Sequence, residues 1–325
     1  MSELRWNPMM DEWVITATHR QDRTFLPPKD FCPLCPTKKG KFPTEIPEDK
    51  YEIAVFENKF PSLQRNAPAP AVKNHPLYKV EPAQGICEVV VYTEKHATTL
   101  AEQPVDEIYK LIKVWKDRYK ELGERKFIKY IYIFENKGEI IGVTLHHPHG
   151  QIYAFPFIPP KIKTELAAAK KYRAKNKRCL YCDILKKERK DKKRLVAENA
   201  GFTAFVPFYS RYPYEVHIIS KKHKESLLDF SEKDMQDLSL MLKTILVKYD
   251  KLFNFSFPYI MLMHQAPTDG KIHKYTHWHM EFYPPYRTGK KVKYLAGCEA
   301  GAGSFINDTL AEEKAAELRK IKVKL

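Results

Sequence analysis

The sequence predicts an α+β fold made of two tandem copies of one unit, each an antiparallel sheet with flanking helices, related by a pseudo-twofold repeat. Three observations carry this. A Cys-x-x-Cys pair occurs in each half, at Cys32/Cys35 and Cys179/Cys182. Each pair is followed by a Lys-His step, Lys95-His96 or Lys222-His223, and then by a histidine-rich block at His147 or His277. Between these markers both halves show the same order of apolar runs, and self-similarity of that kind marks a duplicated structural unit. The boundary is placed between residues 160 and 161, giving units 1–160 and 161–325.

In the first copy, Ile53 to Phe56 and Cys87 to Tyr92 read as strands because β-branched and aromatic residues dominate them. A helix follows from about Val105 to Leu122, with Ile108, Leu111, Ile112, Trp115, Tyr119 and Leu122 falling on one face. Phe127 to Phe134 is the next expected strand. His146-His147-Pro148-His149-Gly150-Gln151 then opens another, through Phe155. The second copy repeats this with strands at 202–208 and 215–220. Its helix is capped by Ser231 with Asp234 three residues on, and carries Met235, Leu238, Leu242 and Ile245. Strands at 259–264 and 280–283 complete it, the last entered through His277-Trp278-His279.

With 325 residues, 43% apolar and 30% charged, the chain has material for a substantial core, which excludes intrinsic disorder. No run reaches the ~18–20 apolar residues of a membrane helix, and Met1 to Arg20 lacks an apolar leader core, so a cytoplasmic protein is expected. The net charge of +16 admits a nucleic-acid partner, but the densest basic run, Lys170 to Arg194, reads as solvated helix faces. No nucleic-acid or membrane partner is expected.

Each copy supplies two cysteines and two histidines in the same order, the donor set of a closed tetrahedral zinc site. The quartets are Cys32, Cys35, His96, His147 and Cys179, Cys182, His223, His277. Four protein ligands leave no open position, so both are read as structural. His149 lies two residues beyond a metal histidine on an extended segment, points the same way and has no metal duty. An imidazole attacks phosphorus readily and also leaves readily, which suits two-step transfer through a phosphohistidine ester. Gln151, one alternation further, can donate its amide to a phosphoryl oxygen. This leaves the transferring histidine in the first copy only.

The block His147-Pro148-His149-Gly150-Gln151, with Phe134-Glu135-Asn136-Lys137-Gly138 before it and Ile152-Tyr153-Ala154 after it, resembles the active site of the galactose-1-phosphate uridylyltransferase family, a two-copy branch of the histidine-triad superfamily. The likeness extends to Trp13-Val14-Ile15, His19 to Arg23, Val55 to Pro61, and Phe282-Tyr283-Pro284-Pro285, and so covers nearly the whole chain. The resemblance implies ping-pong transfer of UMP from UDP-glucose through His149 to galactose 1-phosphate, with Gln151 stabilising the uridylylated histidine. It also implies phosphate and sugar contacts from Asn136, Gly142 and Thr144, the last replacing a serine seen in many relatives. Nucleotide contacts fall to Arg20, Arg23 and Asn58, and hexose contacts to Lys293 and Glu299. Relatives complete each site from a neighbouring subunit, so a homodimer is implied.

Two departures from the family pattern bear on this. Some members build their second metal site from a glutamate and three histidines. Here Glu165, His264, His277 and His279 are the candidates; sharing His277 with the cysteine quartet, the two sets are read as mutually exclusive, and the cysteine set is preferred. The tail Ala300 to Asn307 is similar to a form found both in some prokaryotic uridylyltransferases and in ADP-glucose phosphorylases. An adenylyl-transferring phosphorylase, or a phosphorylase acting on dinucleoside polyphosphates, is therefore the enzymatic alternative, and a zinc-stabilised nucleic-acid-binding module the non-enzymatic one.

Overall fold

The computed structural model describes residues 2–22, 31–40 and 42–324. Strands β3 (Ala54–Glu57), β5 (Ile86–Val91), β6 (Tyr130–Lys137) and β7 (His149–Phe155) belong to the first copy. Their counterparts in the second are β9 (Phe202–Phe205), β10 (Val216–Ser220), β11 (Tyr259–His264) and β12 (His279–Tyr283). They lie in the order β3-β5-β7-β6-β11-β12-β10-β9, and β8 (Leu195–Glu198) extends the far edge. The second half of that order mirrors the first, as a pseudo-twofold repeat requires. The units do not keep separate sheets: β6 and β11 pair antiparallel, from Tyr259↔Lys137 to Met263↔Ile133, and fuse them into one sheet of nine strands.

Helix α1 (Val105–Gly123) buries the six residues its periodicity marked. Helix α4 (Glu232–Leu252) buries Met235, Leu238, Leu242 and Ile245, with Leu246 and Tyr249 continuing the stripe. At its start Ser231 and Asp234 form a reciprocal capping box that satisfies main-chain N–H groups the first turn leaves over. Both helices cover the same face of the sheet, where Trp115 and Trp278 are fully enclosed. A fully buried apolar side chain of this size contributes roughly 2–3 kcal/mol, so this layer holds the two copies as one body.

Some expectations shift. The strand expected from Phe127 begins at Tyr130, because residues 124–127 turn at the end of α1. The strand expected over 202–208 ends at Phe205. The N-terminal segment adds a sheet that the repeat does not anticipate, in which β1 (Ser2–Asn7) lies between β2 (Glu12–Ala17) and β4 (Val80–Pro82). The basic run forms helices α2 (Pro160–Asn176) and α3 (Leu180–Asp191), mostly with exposed lysines. Arg194 is the exception. It is buried and paired with Glu188 at 2.9 Å and Glu312 at 2.6 Å, tying α3 to the C-terminal helix α6 (Ala311–Lys320), which follows the short helix α5 (Gly297–Ala302).

Candidate active site and metal centres

Cys32, Cys35, His96 and His147 converge on one point, as do Cys179, Cys182, His223 and His277. Zinc–sulfur and zinc–nitrogen bonds of ordinary length at a tetrahedral angle put each sulfur about 3.6 Å from each nitrogen. In the first quartet the Sγ···Nδ1 separations are 3.8 Å (Cys32–His147), 3.6 Å (Cys35–His96) and 3.5 Å (Cys35–His147). In the second they are 3.7 Å (Cys179–His277), 3.8 Å (Cys182–His223) and 3.4 Å (Cys182–His277). The histidine tautomers agree with that geometry. His147 Nε2 donates to Thr93 O at 2.7 Å and His277 Nε2 to Ser220 O at 2.9 Å, so in each ring the lone pair falls on Nδ1, facing the sulfurs. Burial keeps His147 neutral by lowering its pKa to about 4, and pushes the Cys32 thiol up to about 11. A thiolate there calls for a cation beside it, as a zinc ligand does.

A third group brings Glu165, His264, His279 and Glu281 together. This corrects the expected set of Glu165, His264, His277 and His279. His277 precedes β12 and turns its Nδ1 to the cysteines, while Glu281, two residues after His279 on the same face of that strand, takes the fourth place. The two groups share no residue and do not compete. His264 Nδ1 meets Glu165 at 2.9 Å, and the Lys161 ammonium meets Glu281 at 2.8 Å. Burial opposes ionisation of Glu281, but His217 and His264 outweigh it and hold the carboxyl well below its usual range. Two carboxylates and two imidazoles form a harder donor set than the cysteine quartets.

His279 occupies in the second copy the place that His149 holds in the first. His149 Nδ1 donates to His147 O at 2.7 Å, and His279 Nδ1 donates to His277 O at 2.9 Å. The same hydrogen bond recurs two residues after the last histidine of each cysteine–histidine group. Only the surroundings differ: His279 is enclosed by the carboxylate cluster, whereas His149 lines an open-sided cavity of about 420 Å³ with Asn136, Lys137, Gly138, His146 and His147. That volume suits a small phosphorylated ligand, pockets for which run to roughly 300–1,000 Å³. With Nδ1 donating, Nε2 carries the lone pair of the His149 ring.

The structure brings some of the other expected residues together and separates others. Gln151 shares the less buried face of β7 with His149, Tyr153 and Phe155. Gly142, with φ +85°, closes the turn after Glu139–Ile141, and Thr144 is buried just beyond it. Arg20 donates to Phe60 O at 2.8 Å, and the Asn58 side chain accepts from Phe60 N at 2.9 Å, so these two meet around one loop. Arg23 lies outside the described residues. Lys293 and Glu299 form a buried ion pair at 2.8 Å, and Lys293 also donates to Ile306 O. They do not line the His149 cavity. Sequence reasoning missed Tyr51, whose hydroxyl bonds Leu34 O at 2.8 Å and Thr93 O at 3.0 Å and so ties the first cysteine knuckle to the strand behind His147. It also missed Glu281, although its alternation with His279 was readable.

Two family models match the chain: galactose-1-phosphate uridyl transferase, N-terminal domain, over residues 1–159, and its C-terminal domain over residues 165–324. A galactose-1-phosphate uridylyltransferase of Thermotoga maritima is 43% identical over 326 residues, covering 100% of both chains. A solved uridylyltransferase structure superposes with a TM-score of 0.87 at 35% identity, covering 98% of this chain and 97% of that one. An ADP-glucose phosphorylase from Arabidopsis thaliana, solved with bound ADP-glucose, gives 0.75 at 26% identity over 99% and 100%. Fold and site thus define a nucleotidyltransferase. The chain belongs to the galactose-1-phosphate uridylyltransferase family and has that activity, which places it in galactose metabolism. Among the described residues no helix is long and apolar enough to cross a membrane.

Proposed function

We propose that the protein transfers UMP from UDP-glucose to galactose 1-phosphate through a uridylyl ester of His149. The observation that carries this is the His149 Nδ1 bond to His147 O beside the cavity, which fixes the ring and makes Nε2 the nucleophile. Nε2 attacks the α-phosphorus of UDP-glucose and forms a P–N bond, while the P–O bond to glucose 1-phosphate breaks and that product leaves. A phosphate oxygen of galactose 1-phosphate then attacks the same phosphorus, the P–N bond breaks, and UDP-galactose departs from a regenerated imidazole. Gln151, on the same strand face, donates to the phosphoryl oxygens as charge develops.

Asn136, Gly142 and Thr144 contact phosphate and sugar in this reading, and Arg20, Arg23 and Asn58 the nucleotide. Lys293 and Glu299 serve the hexose from the neighbouring subunit of a homodimer; that neither lines the His149 cavity of its own chain supports that arrangement. Zinc fills both cysteine–histidine quartets, supported by their donor spacing, and holds His147 and thereby the frame of His149. The units 1–160 and 161–325 act as one cytoplasmic enzyme, the first supplying the nucleophile. The tail Ala300–Asn307 and the likeness to ADP-glucose phosphorylase favour, as the second reading, adenylyl transfer to inorganic phosphate.

Incubation with α-labelled UDP-glucose or ADP-glucose separates these readings. An acid-labile, base-stable adduct from the uridine donor, absent in His149→Ala and discharged by galactose 1-phosphate but not by phosphate, is the expected result. A preferential adenylyl adduct discharged by phosphate overturns the proposal.

A further inference from the structure

Tyr92 and Thr93, at the end of β5, supply contacts to each of the residues that frame His149. Thr93 O accepts from the His147 ring, the Tyr92 main-chain N–H donates to Pro148 O at 3.0 Å, and Val91 and Val90 pair with His149 and Gly150. The Tyr92 side chain adds a contact on the far side. A Cβ placed on Gly150 would overlap the Tyr92 hydroxyl outright, with Tyr92 Cζ and Phe134 O each at 3.0 Å. Gly150 does not have a positive φ, so its backbone would accept other residues. What it supplies is space, and the tyrosine hydroxyl occupies it.

That hydroxyl is an expensive group to put there. Tyr92 is 2% exposed, its ring is held edge-on to Trp115 with centroids 6.3 Å apart, and its Oη has no hydrogen-bond partner among the described residues. Glu135, whose Oε1 accepts from Tyr259 Oη at 3.0 Å, stands beside it close enough that the phenol and the carboxyl act on each other's ionisation, short of a bond of ordinary geometry. A phenylalanine would avoid the desolvation of a lone hydroxyl, which costs about 1–3 kcal/mol. Packing of the ring alone therefore gives no reason for the hydroxyl, whose neighbours are the Glu135 carboxyl and the notch at Gly150.

The second copy supplies an internal comparison. It keeps the metal histidine and the following histidine with the same Nδ1-to-carbonyl bond, but has a buried Met280 where Gly150 stands. A unit of this fold thus forms around a full side chain at that position. The glycine notch and the hydroxyl filling it occur only beside the histidine that faces the cavity.

We propose that Tyr92 is a positioning residue for transfer. Its main-chain N–H and its hydroxyl grip the segment 148–150 from both sides of His149, so that the imidazole keeps its line to the phosphorus while P–N bonds form and break. This rests on the reading of His149 as the nucleophile. Displacement of a reacting group by about 1 Å costs on the order of 100-fold in rate, so loss of one of the two grips is expected to cost about tenfold.

The test measures uridylyl-adduct formation in single turnovers, KM for both substrates, and bound zinc. Tyr92→Phe is expected to slow adduct formation by about tenfold with zinc content and KM within about twofold of the parent. Gly150→Ala is expected to slow it by about 100-fold, and the double variant to recover about tenfold of that loss, because removing the hydroxyl relaxes the nearest contact to 3.0 Å. Adduct formation at the parental rate in Tyr92→Phe, or a double variant no faster than Gly150→Ala, overturns the proposal. An adduct that persists in His149→Ala would instead refute the nucleophile assignment on which it rests.

Discussion

Replacing Glu135 with glutamine is expected to stabilise the protein, by an amount that grows with pH. The carboxyl is completely enclosed beside Tyr92 and Tyr259, and burial raises its pKa from 4.5 to about 7, against partial relief from the Tyr259 hydrogen bond and the Lys137 charge. In the unfolded chain the group ionises near its ordinary value. Between about pH 4.5 and 7 the folded state therefore binds more protons than the unfolded state, and stability falls as pH rises through that window. Each unit of difference corresponds to about 1.4 kcal/mol, so the carboxylate costs about 3 kcal/mol once pH exceeds 7, and about 1.4 kcal/mol at pH 5.5. Glutamine resembles the neutral acid in shape and polarity and does not titrate. The fixed cost or gain of the amide is the same at every pH, so the change with pH isolates the carboxylate. In urea unfolding of zinc-loaded protein, the stability of Glu135→Gln relative to the parent should rise by about 2 kcal/mol from pH 5.5 to pH 8. A difference that stays flat, or falls, would show that Glu135 is already ionised at low pH and that its neighbours offset its burial.

Cys179→Ser should lower bound zinc by about one atom per chain, whereas Glu165→Ala should leave the zinc at both cysteine quartets in place, as plasma emission spectrometry of the purified variants would report; loss of cysteine-bound zinc in Glu165→Ala would contradict the separation of the two groups. Arg194→Met should lower stability by about 3–5 kcal/mol by stranding the buried Glu188 carboxylate, with the deficit seen in thermal or urea unfolding; adding Glu188→Gln should recover most of it. Gly142→Ala should cost about 1 kcal/mol, because φ +85° strains a residue with a Cβ although nothing lies within 4 Å of the added methyl, and an unchanged unfolding midpoint would remove that account.

The parts of the site legible in the sequence are those carried by short-range spacing. Cys-x-x-Cys pairs act within a few residues, and the alternation from His147 through His149 to Gln151 places consecutive chemical groups by strand geometry alone. The repeat supplied the rest, since it identified His96 and His223 through their equivalence and not through any local motif. The buried stripes of α1 and α4 were legible for the same reason: helical spacing is a local property of the chain.

What escaped the sequence depends on which distant segments meet. Glu281 became a member of the third cluster when β12 was laid between β10 and β11 and α2 brought Glu165 across, none of which is written near residue 281. Lys293 and Glu299 carry charges suited to a sugar phosphate, but the fold of their own loop pairs them with each other. The sequence by itself determined two copies of an α+β unit, two cysteine–histidine groups able to hold a metal and the position of His149. Tertiary structure alone decided that β6 and β11 join the copies in one sheet and that His149 faces a cavity while its twin His279 is enclosed. Ligand spacing and strand alternation act over a few residues, whereas access to a side chain is set by long-range strand order and by whatever packs against the opposite face.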